Sequence, residues 1–90
     1  MKSLEIKILE FDNWSQPWTF YEFVSSEKSL NISDLNLFNE VWTKAGAYEF
    51  WNNADLIQCC KASQTYISEN YQLKNNVIRN IVRALSYRWK

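Results

Sequence analysis

Histidine is missing from this chain of 90 residues, and glycine and proline occur once each, as Gly46 and Pro17. Each scarcity removes a class of function. Without histidine there is no imidazole general base, no Ser–His or Cys–His pair and no imidazole metal ligand. A single glycine leaves nothing from which to build a phosphate-cradling loop or a dinucleotide fingerprint. So little Gly and Pro also argues against disorder and against a barrel of many strands joined by tight turns. No stretch reaches the roughly 18 uncharged apolar residues of a transmembrane helix. The start, Met1-Lys2-Ser3-Leu4-Glu5, places an acid where a signal peptide needs an apolar run. The expectation is a cytoplasmic protein without a membrane partner.

Cysteine is scarce too. Cys59 and Cys60 are the only two, and they are adjacent. Neighbouring cysteines rarely join, because the bridge is strained, and two thiols without a histidine cannot complete a tetrahedral zinc site. Both are expected to be reduced, within or beside the core; a reactive or dimer-linking thiol is the alternative. The acids are scattered, with none in a calcium-loop or paired-helix metal pattern. Glu5 or Glu10 facing Glu22 across a hairpin would be the one carboxylate pair, read here as a solvated strand face. No catalytic residue, metal or cofactor is expected, and no enzyme.

Aromatic residues, by contrast, make up 17% of the chain and include five tryptophans. Each buried ring removes on the order of 150–250 Å² from water, so a few can build the core of one small domain spanning residues 1–90. Charge is polarised. Residues 1–60 hold four lysines against nine acids, whereas residues 61–90 hold six cations against Glu69 alone. An acidic body thus carries a basic C-terminal element.

The fold expected is α+β and mainly helical, in β-β-α-α-α order. Leu4, Ile6 and Ile8 alternate with Glu5 and Lys7, which reads as a strand over residues 4–11. The β-branched and aromatic run at 19–25 favours a second strand, closing an N-terminal hairpin; a short helix with Trp18, Tyr21 and Ser25 on one face is the alternative, and would leave a single strand. Ser33 is expected to cap a helix with Leu35, Phe38, Trp42, Ala45 and Tyr48 on its apolar face, running to about Trp51. Gly46 inside it marks a break or a close helix contact. Asn53 is expected to cap a second helix ending at Asn70, with Leu56, Cys60, Ser63 and Ile67 inward. A third, from Leu73 to Arg88, would bury Val77, Ile78, Ile81, Leu85 and Trp89.

Two features could carry function. The loop around Pro17 holds Trp14 and Trp18, and with Tyr21 these are the candidate partner-binding residues, since Trp, Tyr and Arg dominate interface hot spots; a loop tryptophan can equally plug the core. On the last helix, Arg79 and Arg83 are four apart and Lys90 seven further on, with Arg88 off that line. These cations suit phosphates or an acidic partner, or simply complement the helix dipole. The leading expectation is a small non-enzymatic module that binds another protein, of the general type of inhibitors, immunity proteins and antitoxins. Nucleic-acid binding through Arg79, Arg83, Arg88 and Lys90 is the second. Homo-oligomeric assembly, including a homodimer through an exposed strand edge, is the third.

Overall fold

The computed structural model describes residues 3–25, 30–52 and 54–88. Among the described residues six α-helices follow one another: α1 (Leu4–Glu10), α2 (Phe20–Ser25), α3 (Ile32–Ala45), α4 (Tyr48–Trp51), α5 (Leu56–Asn70) and α6 (Asn75–Arg88). One 3₁₀ turn, Pro17–Thr19, precedes α2. Among the described residues there is no strand, and no helix is long and apolar enough to cross a membrane.

The N-terminal hairpin is therefore corrected to two helices. Ser3 caps α1, its hydroxyl accepting from the Ile6 N–H at 3.3 Å, and Glu5 lies in the first turn, where the dipole favours an anion. Leu4, Lys7, Ile8 and Phe11 are buried at i, i+3, i+4 and i+7. Ile6, which the period-two reading placed with Leu4 and Ile8, is 53% exposed, and Lys7 is 6% exposed. The Lys7 ammonium sits 4.2 Å from the Phe23 ring centroid, a cation–π contact that compensates part of its lost hydration. In α2 the buried pair is Phe20 and Val24, four apart, so the segment is helical on a different face from Trp18, Tyr21 and Ser25. A two-stranded hairpin alone is marginal in water, whereas short helices satisfy their own backbone groups and dock by one stripe. The carboxylate pairing that a hairpin would allow goes with it. Glu5 Oε2 instead accepts from the Lys74 N–H at 2.8 Å, tying α1 to the start of α6.

The remaining helices lie where expected, with shifted ends, but Tyr48, expected on the apolar face of the first of them, is exposed in a separate turn. Asn31, not Ser33, caps α3, its side chain accepting from the Asp34 N–H at 2.7 Å. The helix stops at Ala45, Gly46 caps it, and α4 follows as a separate turn. Asp55 caps α5 through the Ile57 N–H at 3.0 Å; the expected cap, Asn53, lies outside the described residues. Ser63 and Ile67 form the inward stripe of α5 as expected, with Cys59 in place of the neighbouring Cys60, while Leu56, expected inward, is exposed. Both cysteines are free thiols, Cys59 buried and Cys60 half-buried.

Helix α6 is the centre of the packing. It lies against α5, α1, α3 and the 3₁₀ turn, and it buries Val77, Ile78, Ile81, Val82, Ala84 and Leu85. Each large side chain so buried contributes about 1.5–3 kcal/mol. Trp89, expected on this face, lies outside the described residues. Phe20 is the hub of the aromatic half of the core, with Phe11, Trp14, Phe38 and Trp42 ring centroids 5.2, 5.9, 6.1 and 5.7 Å away. The carbonyl of Ala45, at the end of α3, is buried. It accepts from Trp51 Nε1 at 2.8 Å and Ser63 Oγ at 2.9 Å, so the helix end meets no unpaired polar group there.

Candidate partner-binding groove

The loop before α2 is held by its own hydrogen bonds. The Gln16 N–H donates to the Asn13 carbonyl at 2.9 Å, and Ser15 Oγ donates to Asn13 Oδ1 at 3.0 Å. Pro17 then opens the 3₁₀ turn, a position that needs no N–H, and its ring is buried. Thr19 Oγ1 closes the turn by donating to the Gln16 carbonyl at 2.7 Å. This geometry sends two tryptophans, four residues apart, in opposite directions.

Trp14 turns inward. It stacks on Phe20 and meets Phe11 edge-on at 4.9 Å. The Arg83 guanidinium covers it, 4.2 Å from a ring centroid. Trp14 is thus half-buried against the core rings, in the plug placement weighed for a loop tryptophan. Trp18 turns outward and is 73% exposed. Among the described residues it has no ring partner and no hydrogen bond, unlike Trp14, Trp42 and Trp51.

Beside Trp18 lies an open, mostly apolar groove of about 260 Å³, lined by Pro17, Trp18, Tyr21, Trp42, Ala84 and Arg88. Its walls are already packed. The Tyr21 ring stacks on Phe38 at 5.6 Å and leans on Trp42 at 5.5 Å, and its hydroxyl donates to Asn39 Oδ1. Trp42 stacks on Phe20 at 5.7 Å. The groove joins Trp18 and Tyr21 to Arg88, three residues from the two separate features of the sequence. Trp42 and Ala84 were missed. Trp42 reads as one more member of the α3 stripe, and the one available signal for Ala84 is a small side chain between bulky Val82 and Leu85.

The other cations are dispersed. Arg79 is exposed on α6, Arg83 is engaged by Trp14, and Lys90 lies outside the described residues. Five residues separate Arg83 from Arg88, which turns them about 140° apart around the helix. Arg88 belongs to the groove and does not extend a line of phosphate contacts from Arg79 and Arg83.

Two side chains titrate away from their ordinary values. Burial pushes the Cys60 thiol up, with Cys59 beside it as the smaller cause. The Tyr71 phenol is pushed well above its ordinary value, first by burial and then by its hydrogen bond to Glu40 (2.6 Å) and its contact with Tyr66. Both shifts favour the neutral form, so neither side chain is activated as a nucleophile. Among the described residues no three of Cys, Asp and Glu gather as a metal ligand set. A second concavity of about 380 Å³, between Phe50, Lys61, Thr65 and Tyr66, is more open and more polar. No family model matches the sequence, and neither a curated protein nor a solved structure matches it.

Proposed function

We propose that this chain is a small non-catalytic module of the cytoplasm that binds another protein at the groove beside Trp18. One observation carries the reading: a tryptophan 73% exposed next to an apolar groove whose Tyr21 and Trp42 walls are packed against the core rings. A free surface gains little from showing a ring of that size to water, whereas burying it against a partner removes on the order of 150–250 Å². Tyr21 and Trp42 are held in place before any partner arrives, so little side-chain ordering opposes binding. Affinity capture on the immobilised chain tests this, with Trp18→Ala and Tyr48→Ala compared in parallel and the captured protein then titrated in pure form. Tyr48, also exposed, lies outside the groove. A partner lost with Trp18→Ala and kept with Tyr48→Ala is the expected result. A partner held equally by all three proteins would remove the groove from the account.

Two arginines near the tryptophan loop, Arg83 over Trp14 and Arg88 in the groove that Trp18 lines, favour a second reading, single-stranded nucleic acid. Exposed rings stack on bases and guanidinium groups meet phosphates. That reading requires binding that weakens steeply with salt, as each neutralised phosphate releases counterions. Fluorescence titration with an oligothymidylate at two salt concentrations decides it. The strand-edge homodimer has no support, because the described residues contain no strand.

A further inference from the structure

We infer that the groove takes an acidic segment of a protein partner, in which one large apolar side chain fills the cavity while an adjacent carboxylate pairs with Arg88. This rests on the proposal that the groove binds protein, and it adds the chemistry of what is bound. Three observations lead to it. The first is size. At about 260 Å³ the cavity is below the ~300–1,000 Å³ of pockets that enclose drug-sized ligands, so it suits a single side chain. The second is lining. Pro17, Trp18, Tyr21, Trp42 and Ala84 present rings and aliphatic carbon, and the Tyr21 hydroxyl is already committed to Asn39. The third is the lone charge. Arg88 is the one ionisable group in the lining with a permanent charge, and among the described residues no carboxylate or hydrogen bond engages it.

Arg88 also lies close to the end of α3. Its Nη1 lies 3.6 Å from where a Cβ at residue 46 would stand. The guanidinium thus stands at ordinary contact distance from the Gly46 position, beside the end of α3. Arg88 lines the groove and is exposed, and its planar fork of donors suits a carboxylate. A guanidinium beside aromatic walls discriminates against a neutral or basic segment, which would leave it desolvated and unpaired.

A selection of displayed random dodecapeptides on the wild-type chain, counter-selected on Trp18→Ala, tests this. Enriched sequences are expected to place Asp or Glu within two residues of Trp, Phe, Leu or Met. For a synthetic enriched peptide, replacing the acid by its amide, or using the Arg88→Gln protein, should each weaken binding about tenfold. The two losses should not add, because they delete the same contact. Arg88→Gln should keep the wild-type thermal midpoint, which separates lost pairing from lost fold. Enriched peptides without an acid, or equal affinity for Arg88→Gln, overturn the inference and leave the protein-binding groove standing. If no peptide distinguishes wild type from Trp18→Ala, the groove reading falls as well. If an oligothymidylate binds more tightly than any peptide and loses affinity with Arg88→Gln, the occupant is nucleic acid and the inference is overturned.

Discussion

Replacing Gly46 by Ala tests how closely α3 and α6 approach beneath the groove. The backbone at Gly46, φ −92° and ψ 12°, is open to any residue, so the substitution strains no dihedral. The obstacle is space. An added Cβ would stand 2.8 Å from the Trp42 carbonyl oxygen and 2.9 Å from Leu85 Cδ2. The carbonyl cannot retreat, because it accepts from the Gly46 N–H at 3.1 Å. Leu85 cannot easily retreat either, being fully buried. Forcing a methyl group into a packed core costs about 1–3 kcal/mol. Stiffening the unfolded chain returns ~0.4–1 kcal/mol. The net expectation is a loss of about 1–2 kcal/mol, a fall of roughly 5–15 °C in Tm for a domain this size. Circular dichroism during heating and urea titration measures it. Leu85→Ala in the same background relieves one of the two clashes, so the double variant should lose less than the sum of the single ones. A Gly46→Ala protein as stable as wild type would refute the close approach and leave Gly46 as a mere helix stop.

Three further expectations follow from single contacts. Trp14→Ala should cost about 2 kcal/mol or more, since it strips stacking from Phe11, Phe20 and Arg83, while Trp18→Ala should stay within about 0.5 kcal/mol; equal losses in urea titration would contradict the opposite placement of the two rings. Glu5→Ala should cost about 1 kcal/mol by removing the acceptor at the start of α6, and an unchanged urea midpoint would show that the Lys74 N–H finds water instead. Tyr71 has its folded pKa raised, so the stability it brings is complete below the ordinary phenol value near 10 and is lost as pH rises above it. Tyr71→Phe should therefore be somewhat less stable at neutral pH and lose less than wild type on going from pH 9 to 12; parallel pH profiles would exclude Tyr71 as the source.

The three long helices were legible because their stripes repeat over 14 or 15 residues. In α6, Val77, Ile78, Ile81 and Leu85 fit one face only. The first 25 residues were not legible in this way. Leu4 and Ile8 satisfy a period of two and a period of four alike, and seven residues give no further repeat to separate them. What discriminates is the burial of Lys7 and Phe11 and the exposure of Ile6, and these depend on which surface of α6 and α2 lies alongside. Aromatic content likewise marked residues 11–23 as important without distinguishing plug from anchor.

The order of amino acids by itself determined the main stripe of α6, the polarity of charge and the lack of imidazole chemistry, because each is a property of composition or of spacing within one element, whereas it left a break or a close contact open at Gly46. Only the tertiary structure decided that Trp14 is covered by Arg83 while Trp18 faces water, and that Tyr21, Trp42 and Arg88 share a groove. Those residues come from different helices, and their meeting depends on how the 3₁₀ turn, α2 and α3 settle against α6. Local sequence can specify each helix and its buried face. The angle and register at which the helices dock follow from fitting all the side chains together at once.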